Sequence, residues 1–130
     1  MKAIQNNATK LRPQGIRNID ADMVAIHLPF YIAEIKKEKT WACKDKNAIT
    51  VFKTHALKII LMVLKLGAEL KECIIPSLFT IQVLEGAITF TTPYQTVSLG
   101  IGEIITLHKN IGHSIFAKEE SAFLITIIGI

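Results

Sequence analysis

Short apolar stretches separated by polar turns fill the chain from Asn47 onward. The stretches are rich in Ile, Val, Phe and Thr, residues that favour a pleated and half-buried surface. About eight or nine such strands, with turn signals roughly every 8–12 residues, predict a β-sandwich or barrel and an all-β fold class. The predicted strands include residues 48–53, 57–66, 79–84, 87–92, 96–99, 103–107, 114–117 and 123–130.

The N-terminal part of the chain has a different pattern. Residues 1–22 are polar and contain Pro13, which predicts an extended arm or a loop. Apolar side chains alternate over residues 23–28 and predict a short strand, which Pro29 then interrupts.

A short amphipathic helix is predicted over residues 30–38, because apolar residues lie there at helical spacing among lysines and glutamates. The chain therefore divides into residues 1–40, with an arm, a short strand and one helix, and residues 41–130, with a β-barrel. We expect both parts to form a single domain.

Length and hydropathy set further limits. The chain has 130 residues, of which 50% are hydrophobic, so it can bury one sizeable core. The mean hydropathy of +0.37 is high for a soluble monomer, and large exposed apolar patches usually mark contact sites, so we expect a homodimer. The longest apolar run covers residues 59–64, far short of the about 20 residues of a membrane-spanning helix, so no membrane partner is expected.

Charge and cysteine content argue against nucleic-acid-binding and disulfide-rich classes of protein. The net charge is +4, but the lysines are interleaved with acidic residues and there are few arginines or aromatics, so we expect no nucleic-acid partner. The N-terminus lacks the apolar segment of a secretory signal. Cys43 and Cys73 are too few for a disulfide framework and fit a reducing compartment. These features predict a cytoplasmic location.

Residues 66–86 and 99–117 share one order of turns and strands: a glycine turn, a short apolar strand, a polar or proline-marked turn and a second strand. The first stretch has its spaced positions at Gly67, Cys73, Ile75, Phe79 and Gly86. The second has them at Gly102, His108, Asn110, His113 and Ala117.

This spacing resembles the paired motifs of the cupin superfamily, and the chain is similar to small single-domain cupins of uncharacterised function. The resemblance implies a jelly-roll barrel, also called a double-stranded β-helix. In that family the motifs supply two histidines, an acid and a further histidine that hold iron, manganese or zinc inside the barrel. The matching positions here are Cys73, Ile75, Phe79 and His113, so the second-motif histidine is present and the first-motif ligands are replaced.

We expect these four side chains to line a ligand pocket in the barrel interior, with no metal and no cofactor. The leading hypothesis is a cupin-like protein of unassigned function and no catalytic activity. It would bind a small molecule of apolar or weakly polar character, or serve as a regulatory or assembly module.

Two alternatives remain open. A diverged metal-dependent oxygenase or isomerase would use Cys73, His113 and a third ligand, for which His55 and His108 have the right chemistry. A redox sensor would use Cys73 alone. The simpler interpretations are a His113 ring that hydrogen-bonds inside the barrel and a Cys73 that packs as a small hydrophobe.

Two other features near the motifs have simple interpretations. Glu69 and Glu72 flank Lys71, which predicts a solvated loop. Tyr94 lies in the turn Thr-Pro-Tyr-Gln and is predicted to be an exposed aromatic at a hairpin tip.

Overall fold

The computed structural model describes residues 4–6 and 17–129. Two short strands and two short helices precede a series of nine strands. The elements are β1 (Ile4–Asn6), β2 (Arg17–Asp20), α1 (Leu28–Ile35), α2 (Lys39–Cys43), β3 (Lys46–Lys53), β4 (Leu57–Leu64), β5 (Glu69–Cys73), β6 (Phe79–Glu85), β7 (Ala87–Thr91), β8 (Thr96–Gly100), β9 (Ile104–Leu107), β10 (His113–Ala117) and β11 (Ser121–Ile128).

The strands from β3 onward form two antiparallel sheets. One sheet has four strands in the order β5-β10-β7-β8, and the other has five in the order β3-β4-β11-β6-β9. Within the described residues no strand pairing joins the two sheets into a continuous barrel. The predicted all-β jelly-roll class is confirmed, and the architecture is a two-sheet jelly roll.

The main core lies between the two sheets. Along β6, Phe79, Ile81 and Val83 are buried, while the residues between them are partly exposed. Ile88 and Phe90 of β7 are buried in the same cluster from the opposite sheet. Since residues two apart on a strand point to the same face, this alternation places one apolar face of each sheet inside.

A second apolar cluster lies on the other face of the five-stranded sheet. Leu64 of β4 belongs to the main core, whereas Leu61 and Val63 pack in the second cluster with Ile32 and Ile35 of α1. The helix therefore covers the outer face of this sheet. The sequence predicted a strand buried on both faces here, and all three of these β4 residues are fully buried.

Lys36, directly after α1, links the helix to the ends of two strands. Its Nζ donates to Glu85 Oε1 at 3.3 Å and to Glu120 Oε2 at 3.0 Å. Burial acts to lower the pKa of Lys36, but the hydrogen bonds and charges of the two glutamates outweigh it and raise the pKa. The ammonium group therefore stays charged where it fastens α1 to the sheet.

The predicted strand over residues 23–28 is wrong. Residues 23–27 have no regular structure, and α1 begins at Leu28. Pro29 explains the difference, because it lies in the first helical turn, where its missing N–H has no intrahelical partner and its fixed φ suits a helix. The proline starts a helix instead of ending a strand.

The prediction of a single helix over residues 30–38 is also corrected. α1 ends at Ile35, and a second helix, α2, follows it. Sequence periodicity missed α2 because it has five residues and none of them is buried, so it has no apolar face to give a helical period.

The predicted N-terminal arm is only partly described. Its residues 17–20 are not a loop but form β2, which pairs antiparallel with β1 and contacts β3. Residues 1–3 and 7–16 of the predicted arm lie outside the described residues. The division at residue 40 remains a prediction.

The predicted strands after residue 47 are present, with ends that differ by one or two residues. One correction concerns β5, which was expected to be apolar but has the sequence ELKEC at the edge of its sheet. No helix in the described part of the chain combines the length and apolar character needed to cross a membrane.

At Gly86, between β6 and β7, the backbone passes close to Glu120 and Ser121. Its φ is +78°, and a Cβ there would collide with the Glu120 backbone oxygen and the Ser121 hydroxyl. Gly102 has a φ of +83°, but a Cβ there would enter open space. Gly102→Ala should therefore cost only backbone strain, about 1 kcal/mol, whereas Gly86→Ala should lower the free energy of unfolding by roughly 3 kcal/mol.

Urea denaturation of both variants measures these losses. Equal losses would show that the close approach at Gly86 contributes nothing beyond its backbone angle.

Candidate functional site

The structure brings the four predicted pocket residues to one end of the jelly roll. Cys73 and His113 are direct register partners on the paired strands β5 and β10. Phe79 begins β6 in the facing sheet, and its ring centroid lies 5.1 Å from that of His113. Ile75 follows β5 and packs, partly buried, against the main core.

The His113 ring lies against two phenylalanine rings. It is only 6% exposed, tilted by 39° against Phe79 and stacked on Phe90 at 5.3 Å with an interplanar angle of 14°. Its Nδ1 is 3.1 Å from the Ile111 carbonyl oxygen. Because a carbonyl oxygen only accepts, this hydrogen bond requires a proton on Nδ1, and in the neutral ring Nε2 is then an acceptor.

The second nitrogen of His113 remains available. No residue described by the structure bonds to Nε2, since the contact with Ile111 is the only hydrogen bond of this ring. No buried side-chain nitrogen or oxygen in the described ranges lacks a partner, so Nε2 must be in reach of solvent. His113 thus presents one hydrogen-bond acceptor at the end of an otherwise apolar core.

Cys73 is a free, partly buried thiol. Its Sγ lies 3.7 Å from the Lys71 carbonyl oxygen, and burial raises the pKa of the thiol. A raised pKa keeps sulfur in the thiol form at neutral pH, whereas both nucleophilic attack and metal ligation use the thiolate. The environment of Cys73 therefore resembles that of a packing residue.

A backbone contact fixes the segment that follows β5. The Asn110 N–H donates to the Ile75 carbonyl oxygen at 2.9 Å, with Asn110 in the left-handed region at a φ of 62°. This bond ties the loop before β10 to the loop after β5. The two loops together border the end of the jelly roll at which His113 lies.

The candidate third metal ligands lie elsewhere. His55 and His108 are both exposed, on the β3–β4 and β9–β10 connections. Throughout residues 4–6 and 17–129, no group of three or more His, Cys, Asp or Glu side chains is placed to hold a metal ion. The structure brings together Cys73 and His113 and adds no third donor.

Two recesses open at this end of the molecule. The mouth recess has a volume of about 200 Å³ and is lined mainly by apolar residues, among them Phe90, Val97, Ile105, Leu107 and Ile111. The rim groove is a more open depression of about 610 Å³ along β5 and the start of β10. Thr92 borders both.

The rim groove is lined in part by residues that the sequence assigned to a solvated loop. Glu69 and Glu72 instead belong to the edge strand β5, and Glu72 is exposed with a φ of +53°. Tyr94 lies at the tip of the β7–β8 hairpin and is 85% exposed, as its turn sequence predicted.

Sequence reasoning missed the mouth recess altogether. The sequence does contain a sign of the recess: Ile105 and Leu107, at alternate positions of β9, are both apolar and both line it. This sign is weak because β9 is a short strand with few buried neighbours in sequence.

The sheet order and the buried face between the sheets define a small jelly-roll protein. No family model matches the chain, and no curated protein matches it either. The fold is identified by solved structures, which show that the chain has the cupin fold and resembles small cupin superfamily proteins.

Three solved structures illustrate the likeness. A protein of unknown function from Rhizobium leguminosarum bv. viciae is 20% identical, with a TM-score of 0.68 over 85% of this chain and 100% of that chain. A cupin-2 domain protein from Shewanella frigidimarina is 16% identical, with a TM-score of 0.64 over 78% of this chain and 92% of that chain. A cupin superfamily protein from Desulfitobacterium hafniense is 15% identical, with a TM-score of 0.63 over 65% of this chain and 78% of that chain.

The two thiols should differ in reactivity. Cys43 is exposed, whereas burial raises the pKa of Cys73 and reduces its thiolate fraction at every pH below that pKa. At pH 8, iodoacetamide should therefore alkylate Cys43 several times faster than Cys73, as measured by mass spectrometry of the folded protein. The variants C43S and C73S isolate each thiol, and a Cys73 that reacts as fast as Cys43 would contradict this assignment.

Proposed function

We propose that this protein is a non-catalytic member of the cupin fold class that binds a small, mainly apolar molecule at the mouth of its jelly roll. One observation carries the proposal: the Phe79 and His113 rings pack together at two of the positions where the cupin resemblance implies metal ligands, and Phe90 stacks on His113. The two phenylalanine rings offer a surface for hydrocarbon and no lone pairs for a cation.

The residues at these positions do not fit a metal ion. Ile75 and Phe79 have side chains of carbon alone, and Cys73 is held in its protonated form by burial. A catalytic zinc has three protein ligands, and iron and manganese sites also need several nitrogen or oxygen donors. His113 supplies one. This donor set supports binding rather than metal chemistry, and argues against an oxygenase or isomerase that depends on Cys73 and His113.

The mouth recess suits a small hydrocarbon group. Its volume of about 200 Å³ is enough for a ring of benzene size, and its apolar lining excludes a charged one. Burying roughly 150 Å² of hydrocarbon yields about 4 kcal/mol, which corresponds to a millimolar dissociation constant before any polar contact is added. Polar contacts at the rim would then raise affinity and select among ligands.

A homodimer and a cytoplasmic location stay part of this proposal. Several large apolar side chains support the dimer because they are exposed, with exposed fractions of 71% at Leu66, 70% at Ile101 and 55% at Ile104.

Metal content is the first test. Protein purified without chelators and without a metal-affinity step should contain far less than one equivalent of iron, manganese, nickel or zinc, as measured by inductively coupled plasma mass spectrometry. Near-stoichiometric metal that disappears in His113→Ala would replace the proposal with the metal-dependent alternative.

Occupancy of the mouth recess is the second test. Titration of ¹⁵N-labelled protein with 2-phenylethanol should shift amide resonances around Val97, Ile105 and Leu107 at millimolar concentration. Ile105→Phe should fill the recess and reduce these shifts several-fold, while Ile101→Phe, on the exposed β8–β9 turn, should leave them unchanged.

If Ile105→Phe fails to fold, the wild-type titration alone tests whether 2-phenylethanol binds in the mouth recess. Shifts scattered over the surface, or none at the recess, would refute binding at the mouth.

A further inference from the structure

The strand β9 is an edge of the five-stranded sheet, and among the described strands it pairs with β6 alone. Just before β9 begins, the Val83 N–H donates to the Glu103 carbonyl oxygen at 3.0 Å. Because hydrogen bonding alternates along an antiparallel pair, Ile104 and then Thr106 direct their backbone N–H and C=O groups away from β6. No described residue forms a hydrogen bond with these outward groups.

The β9 edge also lacks the usual protection of an edge strand. Charged residues, prolines and bulges commonly keep such strands from pairing with another chain. β9 has the sequence IITL, and its pairing with β6 runs without a register shift. Its first residue, Ile104, is 55% exposed. The strand is therefore open, apolar and able to accept a further strand.

The other three sheet edges that the structure describes are protected. β5 has the sequence ELKEC, with three charged residues, and its pairing with β10 contains a register shift. β3 is contacted by β2. β8 exposes the polar residues Thr96 and Ser98, and the Glu103 carboxylate accepts the N–H of Gly100 at 2.7 Å. The contrast singles out β9 as the edge for an additional strand.

Opposite charges flank β9. Glu103 directly precedes the strand, and Lys109 comes two residues after its end. Both side chains are exposed, and neither forms an ion pair with a described residue. An antiparallel pair of two β9 strands brings the beginning of each strand to the end of the other, so Glu103 of each copy meets Lys109 of the other. A second copy of this chain thus has the complementary charges at this edge.

We infer that two copies of this chain pair antiparallel along β9, about a two-fold axis beside Thr106, which lies midway between Glu103 and Lys109. This register places Thr106 opposite its own copy and Ile104 opposite His108, so the outward backbone groups of the two strands meet. The contact uses the same edge on both copies and therefore closes at two. The inference rests on the homodimer in the proposed function and names the surface that forms it.

Sedimentation equilibrium of the full chain at neutral pH and low salt measures the dissociation constant of the dimer. The wild-type protein should show a reversible equilibrium of monomer and dimer at micromolar concentration. Ile104→Lys places a charge on the edge, as natural edge strands do, and should raise the dissociation constant about tenfold or more. Ile74→Lys is the matched change at an isoleucine that is 64% exposed beyond β5, and it should leave the constant unchanged.

Charge reversal tests the antiparallel arrangement, and it also serves if Ile104→Lys fails to fold. Lys109→Glu would place a glutamate opposite Glu103 and should raise the dissociation constant about tenfold, since two attractive pairs become repulsive. Adding Glu103→Lys should restore the wild-type value, because the pairs form again with their signs exchanged. Added salt should reduce the difference between the wild-type protein and Lys109→Glu.

The outcomes separate the inference from the proposed function. A wild-type dimer that Ile104→Lys and Lys109→Glu leave intact, or that Ile74→Lys weakens equally, would overturn pairing along β9 and leave the homodimer in place. A double variant no tighter than Lys109→Glu, or larger species that grow with concentration, would also overturn it.

A wild-type protein that stays monomeric at every concentration would refute the homodimer and the inference together. Binding of 2-phenylethanol at the mouth recess has its own titration, so the ligand part of the proposed function stands or fails separately.

Discussion

The contact between the inner faces of the two sheets is the interaction on which the structure depends. Phe79, Phe123 and Ile81 from one sheet and Ile88 and Phe90 from the other are almost fully buried in a single cluster. A sheet cannot bury its apolar face alone, so each sheet is stable only against the other. Other features support this contact. The glycine turns reverse the chain between strands, and α1 covers the face of the five-stranded sheet that remains outside.

The same contact explains the burial and the hydrogen bonding of His113. Along β10, His113, Ile115 and Ala117 are buried and alternate with more exposed residues, so the strand directs its histidine into the core. A polar ring there costs free energy unless its polar atoms are satisfied. The Ile111 carbonyl satisfies one nitrogen, and the phenylalanine rings cover the faces. The other nitrogen keeps its lone pair at the surface of the core, where it remains usable.

The sequence predicted the part of the fold that period-two alternation controls. Strands such as β6 and β11 were predicted within two residues of their ends because their burial alternates or is continuous. The N-terminal region was predicted poorly for the opposite reason. Residues 23–27 alternate without strand partners, and α2 has no buried face, so in both places the local pattern carries no information on the structure.

The candidate site shows the same division between local and long-range information. Motif spacing singled out Cys73 and His113, and the pairing of β5 with β10 makes them register partners. It could not reveal the stacking of Phe90 on His113 or the mouth recess, since these depend on which strands become neighbours and on where the β7–β8 hairpin ends. Glu72 was interpreted as a solvated loop residue for a similar reason. Its place on the edge strand β5 depends on the pairing of β5 with β10, which the local sequence does not reveal.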